Sequence, residues 1–246
     1  MNTSVNREPV RIDDGALIPV LLVGPLNFTL FPNENKWGAS AVLGTSGGTV
    51  SYSFMDNGVG IYDGGAPDTN SNITSLANYQ ACFKAEIIAA FAAWSAVSDI
   101  DFVEVADNGL PTNNPGAGGL IRIGAHAFDG SSGTLAHAWA PLLKSLHYLY
   151  PDAGDLHFDT AESWTCDVSG IDIGVVTLHE IGHSIGLAHS TIFGAIMYPY
   201  YNPGLTVLQP DDVEGAVTLY GPNIVAQPEF IFIKYGEYSV PILKSN

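Results

Sequence analysis

Residues 179–189 read His-Glu-Ile-Gly-His-Ser-Ile-Gly-Leu-Ala-His, the pattern H-E-x-x-H-x-x-G-x-x-H, and this stretch decides the fold. On a helix, His179 and His183 are four positions apart and lie on one face, so both imidazoles can reach one metal ion. Glu180 lies beside them and can take a proton from a water on that metal. The spacing therefore predicts two metal ligands and a base within one helical turn.

Gly186 allows a backbone conformation that residues with a Cβ disfavour, so the helix can stop and the chain can turn. His189 can then approach as a third ligand and leave a fourth position open for water or substrate. A lone histidine on an apolar face is usually an ordinary core residue. This whole pattern, by contrast, arises by chance in a chain of this composition roughly once in 10^4 to 10^5 cases. Zinc held by three imidazoles lowers the pKa of its water to about 7, which predicts hydrolysis of a polarised carbonyl, above all a peptide bond.

The composition indicates a folded, strongly acidic protein. The chain has 246 residues, 46% of them hydrophobic, and a net charge of −17 from 25 acidic and 8 basic residues. Such charge argues against nucleic acid or an anionic membrane as a partner. It suits a secreted protein that recruits calcium or works in salt, and solubility alone explains it nearly as well. No apolar run is long enough to span a membrane, and Asp13 and Asp14 precede the apolar run at 16–24, where a cleavable signal would carry positive charge.

The two cysteines leave two interpretations open. Cys82 and Cys166 can form a disulfide, which would fit an oxidising compartment and close a loop of about 85 residues, nominally worth about 4–5 kcal/mol. They can also be two buried free thiols. A zinc–thiolate site is not expected, because the two residues are far apart in sequence.

Hydrophobic periodicity predicts an α+β fold. A loop rich in Gly, Asp and Asn is expected at 56–75, and 222–246 is strand-like with no assigned role. The predicted strands are 49–54, 101–105, 120–124, 135–138 and 155–158, and the predicted helices are 79–97, 171–187 and 211–220.

Three further stretches, together with the first, resemble the matrixins, the matrix-metalloproteinase branch of the metzincin zinc peptidases. They are A-I-M-Y-P-Y-Y at 195–201, F-D-G-S-S-G-T-L-A-H-A-W-A-P at 128–141 and G-D-L-H-F-D-T-A-E-S-W-T at 154–165. The resemblance covers about 37–221. The start of the domain, with Lys36-Trp37-Gly38, is also similar to serralysin-type bacterial proteases, but Pro199 stands where those carry tyrosine.

The resemblance implies the metzincin fold: a twisted mixed five-stranded sheet, two long helices and a small C-terminal subdomain with a third helix. It implies an N-terminal lead-in at 1–35, a catalytic domain at 36–221 and a C-terminal extension at 222–246. The family's P-R-C-G-x-P-D stretch, whose cysteine caps the zinc, is absent from these residues, so the chain is either mature or regulated otherwise.

For catalysis, the resemblance implies that His179, His183 and His189 hold zinc while Glu180 is the general base. Met197 would belong to the Met-turn, whose thioether packs beneath the three histidines.

For substrate binding, Leu135 and Ala136 would lie on an edge strand that pairs with an extended polypeptide. Pro199 and Tyr201 would form the wall of the pocket after the cut, and Val175 would lie near its floor. A small residue at that floor predicts cleavage before bulky apolar residues, although the loop at 202–209 is shorter than the family's specificity loop.

The resemblance also implies structural metals. His137 and His157, with His126 as a possible third ligand, would bind a second zinc, which is either three-coordinate plus water or absent, because the family's aspartate before Phe128 is missing. No aspartate near Gly118 matches a second calcium, and His147 is expected on the surface of an insertion. The expected calcium ligands are the carboxylates of Asp129, Asp159 and Glu162 with the carbonyls of Gly130, Ser132 and Thr134.

The sequence thus predicts a secreted, extracellular, monomeric zinc endopeptidase that requires calcium. Two alternatives stay open. One is a non-catalytic metal-binding or adhesion module on the same scaffold. The other is a zinc amidase acting on a non-protein substrate.

Overall fold

A computed structural model describes residues 28–31, 35–62, 72–143, 145–224, 230–235 and 238–243, the last two as backbone. The apolar run at 16–24 and most of the lead-in lie outside these ranges. The helices are α1 (Phe83–Val97), α2 (Ile173–Ser184) and α3 (Pro210–Tyr220), with short 3-10 turns at Leu76–Asn78 and His147–Leu149. The strands are β1 (Thr29–Leu30), β2 (Gly48–Phe54), β3 (Ile100–Glu104), β4 (Ile121–His126), β5 (Ala136–Ala138), β6 (Leu156–Asp159), β7 (Trp164–Thr165), β8 (Ile171–Asp172), β9 (Leu187–Ala188), β10 (Phe230–Tyr235) and β11 (Tyr238–Leu243).

The main sheet has five strands in the order β3-β2-β4-β6-β5. The first four run parallel, and β5 is antiparallel to β6 at one edge. This confirms the predicted mixed five-stranded sheet. Strand β5 therefore has a neighbouring strand on only one side among the residues described.

Helix α1 buries one apolar stripe made of Phe83, Ile87, Ala90, Phe91 and Trp94, which recur at helical spacing. It begins later than predicted, at Phe83 instead of 79, because the preceding residues form a 3-10 turn whose N-cap is a serine. The indole N–H of Trp94 donates to the Leu178 carbonyl of α2 at 3.0 Å and so ties the two long helices together.

Helix α2 begins after Asp172, whose carboxylate accepts a hydrogen bond from the Gly174 N–H at 2.9 Å. It ends at Ser184, and Gly186 follows with φ of 110°. A Cβ at Gly186 would come within 2.3 Å of the Asn35 carbonyl oxygen, so glycine is required both for the turn and for this approach. The helix is shorter than the predicted 171–187 because its flanking residues form β8 and β9.

Helix α3 agrees with the predicted 211–220 to within one residue. It starts at Pro210 with a reciprocal cap between Gln209 and Asp212. Its last residue, Tyr220, is fully buried and donates its hydroxyl to the Ile185 carbonyl at 2.6 Å. The small C-terminal part of the domain is thereby fixed against the end of α2.

The N-terminal segment pairs with the active-site region, which the sequence did not predict. Strand β1 is antiparallel to β9, with Thr29 opposite Ala188 and Leu30 opposite Leu187. The Thr29 hydroxyl donates to the His189 carbonyl. The end of the lead-in is therefore part of the domain.

Cys82 and Cys166 form a disulfide, which decides between the two interpretations left open above. It joins the start of α1 to the segment between β7 and β8. At the other end of the chain, β10 and β11 pair as an antiparallel hairpin, in agreement with the strand-like sequence at 222–246. Within the described residues, no helix has the length and apolarity that a membrane crossing requires.

The prediction that His147 is a surface residue is wrong. It is 7% exposed, its Nε2 lies 3.1 Å from the Leu120 carbonyl, and its ring packs 5.8 Å from that of Trp37. The sequence placed it in an insertion, but the insertion folds back across the sheet end.

Candidate active site

The structure brings His179, His183 and His189 together. The first two lie one turn apart on α2, and the third follows β9. One ring nitrogen from each lies within 4.8 Å of the others. The ring centroids are 4.7, 5.3 and 5.0 Å apart. Three converging imidazoles fit a zinc site with an open fourth position.

Backbone carbonyls orient two of these rings. Nδ1 of His179 lies 2.7 Å from the Ile196 carbonyl, and Nδ1 of His183 lies 2.7 Å from the Leu187 carbonyl. A carbonyl oxygen only accepts, so each Nδ1 must carry the proton and donate it. This fixes the tautomer that leaves the Nε2 lone pair for a metal.

Glu180 lies on the same turn of α2 and is fully buried. Burial of a carboxylate costs several kcal/mol unless a cation or hydrogen-bond donors compensate its charge. Its place beside two imidazoles suits a site that holds a divalent cation. The same place suits a base that acts on a water bound between metal and carboxylate.

The turn that carries Met197 packs directly under α2. A Cβ on Gly182 would lie 2.2 Å from the Met197 sulfur, so the methionine occupies the space that the glycine leaves. Gly182 is the residue before His183, and Met197 is 1% exposed. Met197 therefore packs against the histidine-bearing helix at Gly182, and its place beneath the three histidines stays a prediction.

The carboxylate of Asp212 supports this turn, a role that the sequence did not predict. Its carboxylate accepts hydrogen bonds from the backbone N–H groups of Ile196, Met197 and Gln209 at 2.9, 3.0 and 2.8 Å. Burial raises the pKa of Asp212, although these three hydrogen bonds act to lower it. An aspartate in the first turn of a helix is common, so only the spatial contact reveals this role.

A second triad forms from His126 at the end of β4, His137 in β5 and His157 in β6. Their ligand nitrogens also lie within 4.8 Å of one another, and His137 is directly opposite His157 in the β5–β6 register. Burial, with the nearby positive groups His137, His126 and Arg122, lowers the pKa of His157 well below its ordinary value. Neutral imidazole is the metal-binding form. The triad thus fits zinc, and His126 is in place although the family's aspartate is missing.

The expected calcium ligands around the loop at 128–134 lie farther apart than the histidines of either triad. Glu162 accepts from the Ser132 N–H at 2.6 Å, and Asp129 accepts from the Thr134 N–H at 3.0 Å. One oxygen of Asp159 accepts from Phe128 and Ala161, while the other is buried without a hydrogen-bond partner among the described residues.

Ser132 and Gly130 adopt left-handed conformations, with φ of 69° and 92°. Burial, and then the negative charges of Asp159 and Asp129, raise the pKa of Glu162. Within the part of the chain described, only the two histidine triads bring three ligand side chains within 4.8 Å. Calcium at this loop therefore stays a prediction.

Asp107 corrects the expectation that no aspartate lies near Gly118. It is distant in sequence, but its carboxylate would lie 2.4 Å from a Cβ at that glycine. The same carboxylate forms a buried ion pair with Arg122, with contacts of 2.7 and 2.9 Å. The positive charge facing this aspartate is therefore a guanidinium.

Leu135 and Ala136 lie at the sheet edge as predicted, Ala136 in β5 and Leu135 just before it. Both side chains are fully buried, and the Leu135 carbonyl accepts from the Asp159 N–H at 2.8 Å. Only their backbone groups can therefore meet a peptide.

The predicted pocket residues are not all brought together. Val175 is 3% exposed and lines a cavity of about 100 Å³ between α1 and α2, together with Thr206. Pro199 and Tyr201 are half-buried and, of the described residues, are not among those lining this cavity. The hydroxyl of Tyr201 instead accepts a hydrogen bond from the N–H of Asp172, the N-cap of α2, at 2.9 Å.

Comparison with known families completes the description. The sequence profile of the matrixins matches residues 70–221, more than half of the chain and including every residue of both histidine triads. The chain belongs to the matrixin family. Matrixins are zinc metallopeptidases, and the first triad fits the zinc that they use.

Several characterised matrixins are similar to this chain. It is 33% identical to human matrix metalloproteinase-20 over 226 residues, which are 88% of this chain and 39% of that protein. It is 39% identical to karilysin of Tannerella forsythia over 153 residues, which are 59% of this chain and 30% of karilysin. It is 38% identical to the interstitial collagenase of Equus caballus over 135 residues, which are 54% and 27% of the two chains. This matrixin thus spans less than two fifths of these relatives' length.

Proposed function

We propose that this matrixin is a secreted zinc endopeptidase that cleaves polypeptides before bulky apolar residues. The observation that carries the proposal is the convergence of the buried His179 and His183 of α2 with the partly buried His189 after β9, beside the buried Glu180. A purely structural zinc site needs no carboxylate beside it, whereas hydrolysis needs a base.

In this mechanism, His179, His183 and His189 hold the metal, and Glu180 moves the proton. Zinc bound there supplies a Lewis acid that makes water a nucleophile near neutral pH and polarises the substrate carbonyl. Glu180 takes the proton from the attacking water and delivers it to the leaving amine. Burial of the site keeps bulk water away from this transfer. No covalent intermediate with the protein is expected.

The substrate would bind as an added strand along the outer edge of β5. Because the side chains of Leu135 and Ala136 are buried and the Leu135 carbonyl faces β6, the backbone groups of Ala136 would make the contacts on the outer edge. Side-chain selection would then come from the pocket formed by Pro199 and Tyr201, with Val175 near its floor.

The other metals are proposed to stabilise the edge strand. His126, His137 and His157 would hold a second zinc that joins β4, β5 and β6. Calcium would bind the carboxylates and carbonyls of the 128–134 loop, where Asp159 offers a buried carboxylate oxygen. Both ions would fix the loop that leads into β5.

Secretion is supported by the Cys82–Cys166 disulfide, which is typical of an oxidising compartment. We also propose that the catalytic unit is a monomer spanning about 36–221, followed by an extension at 222–246. The pairing of β1 with β9 supports a start of the unit somewhat earlier, near residue 28.

One experiment tests the proposal against the two alternatives. Zinc is measured in the purified protein, and turnover is measured on a quenched peptide with Leu after the scissile bond. The proposal expects one or two zinc ions per chain and cleavage that a chelator abolishes. Bound zinc without cleavage would favour the metal-binding module, while cleavage confined to non-peptide amides would favour the amidase.

A further inference from the structure

The segment between β5 and β6 carries an unusual surface. Residues 140–154, here called the β5–β6 insertion, expose Tyr148, Leu149 and Tyr150 by 62%, 54% and 61%. Among the described residues, this is the longest run of consecutive exposed large apolar side chains. Aromatic side chains are enriched where proteins bind partners, and such clusters mark binding surfaces.

This surface is anchored to the rest of the domain, although it lies in an insertion. The 3-10 turn His147–Leu149 is anchored from beneath by His147, which is buried against Trp37 and lies 3.1 Å from the Leu120 carbonyl. The Tyr150 carbonyl accepts from the Ala153 N–H at 3.1 Å. The three side chains are thus held outward on a fixed backbone, which lowers the entropy lost when a ligand binds.

The surface continues the edge of the sheet. Trp139 follows β5 and pairs with the residues before β6: its N–H donates to Asp155, and its carbonyl accepts from Gly154, at 3.0 and 3.1 Å. Gly154 is adjacent to Ala153, which bonds to Tyr150. A peptide laid along β5 therefore reaches the end of the strand at Trp139 and meets the insertion next.

The direction of the peptide decides which flank arrives there. Antiparallel pairing gives the more stable hydrogen-bond pattern per residue. A substrate antiparallel to β5 places its N-terminal flank at the C-terminal end of β5. The 3-10 turn is anchored at Leu120, just before β4. From the substrate strand to the line of β4 is three strand spacings, about 14 Å, which about four or five extended residues cover.

We infer that Tyr148, Leu149 and Tyr150 form a binding surface for apolar side chains on the N-terminal flank of the substrate. These side chains lie about four or more residues beyond the one opposite Trp139. The inference rests on the proposed function, because β5 is a substrate edge only in an endopeptidase. It assigns to the insertion a role in selecting polypeptides by sequence far from the cut.

The test compares one core peptide with three extended forms. The first adds six residues containing Phe and Leu at the N-terminus, the second adds the same six at the C-terminus, and the third adds six Gly and Ser residues at the N-terminus. Each is assayed for kcat/KM with the wild-type chain. Each is also assayed for affinity by fluorescence anisotropy on the Glu180→Ala variant. The apolar N-terminal extension is expected to raise both by about tenfold, and the other two are not.

The triple variant Tyr148→Ser, Leu149→Ser, Tyr150→Ser should lose this gain while it cleaves the core peptide as before. Val42→Ser with Leu43→Ser is the matched control, because these side chains are also exposed, by 65% and 45%. It should keep the gain. Melting temperatures of both variants close to that of the wild type would show that the insertion is intact.

Three results would overturn the inference: no gain in the wild type, a gain that the triple variant retains, or an equal gain from the C-terminal extension. A dimer that the triple variant disperses, with peptide binding unchanged, would instead assign the surface to a second copy of the chain. If no peptide is cleaved, the proposed function fails. The anisotropy measurement then still shows whether the insertion binds the apolar flank.

Discussion

The Asp212 carboxylate accepts a hydrogen bond from the Met197 N–H at 3.0 Å and thereby supports the turn that packs against the histidine-bearing helix. The same carboxylate bonds to Ile196, whose carbonyl orients His179. Two hydrogen bonds therefore connect the first turn of α3 to the first of the three histidines. Groups that orient metal ligands in this way commonly change metal affinity when they are removed.

Asp212→Ala should destabilise the protein by about 3 kcal/mol or more, because it leaves buried N–H groups without an acceptor. It should also weaken zinc binding by about 10- to 100-fold. Urea unfolding and competition with a zinc-binding dye measure the two effects. Asp212→Asn keeps one acceptor oxygen and should lose less of both. Equal zinc affinity in all three proteins would contradict the proposed connection to His179.

Glu180→Ala should keep zinc but lose hydrolysis, because it removes the base and none of the three ligands. His183→Ala should lose both zinc and hydrolysis. Elemental analysis and peptide turnover on the same preparations separate the two outcomes. Near-normal turnover of the Glu180→Ala variant would eliminate this carboxylate as the base.

Gly182→Ala should reduce stability by about 1–3 kcal/mol, because its methyl group would overlap the Met197 sulfur. Since the neighbouring residue is His183, peptide turnover should fall as well. The matched control is Gly194→Ala, where a Cβ would meet nothing within 4 Å. Thermal unfolding and kcat/KM should therefore change only in the first variant.

Removal of calcium should lower the melting temperature before it lowers activity at low temperature, because the ion would stabilise only the folded state. Melting is followed with and without excess EGTA, with zinc content verified on each sample. In Glu162→Gln, the shift caused by EGTA should be smaller. An unchanged melting temperature of the wild type in EGTA would speak against a calcium ion at the 128–134 loop.

His147 should make stability depend on pH. Burial lowers the pKa of His147 below the ordinary 6.5, although its hydrogen bonds to Leu120 and Ala153 act to raise it. The unfolded chain therefore takes up a proton near pH 6.5, while the folded chain does so only at lower pH. Its contribution to the free energy of unfolding is complete above about pH 6.5 and is lost as the pH falls through this window.

The check is urea unfolding from pH 5 to 8 for the wild type and His147→Gln. The other six histidines are common to both proteins, so the difference between the two curves isolates His147. That difference should shrink as the pH falls. Two curves that decline in parallel would show that this histidine does not contribute.

Local spacing predicted much of the fold and of the site. The intervals between His179, His183 and His189 are set by helix geometry, and alternation located β2, β4 and β6 to within a few residues. The first histidine triad was therefore predicted from spacing, whereas the second came only from the resemblance to the matrixins, with His126 as a possible third ligand.

Contacts between distant segments were not predictable in the same way. Strand β1 has two residues, and its pairing with β9 leaves no local pattern. Asp212 reads as an ordinary helix start, and His147 reads as a polar residue in an insertion. Each acts through neighbours far away in the chain, so their roles emerge only when the segments pack together.

The pairing of β1 with β9 has a consequence for synthesis on the ribosome. All five strands of the main sheet end by Asp159, so the sheet can form while α2 is still emerging. Thr29 can pair with Ala188 and bond to His189 only after both residues have been synthesised. The segment between His183 and His189 is therefore fixed later than the sheet. The three histidines can therefore converge only after residue 189 has been synthesised, and the hydrogen bonds from Asp212 to the turn of Met197 can form only later still.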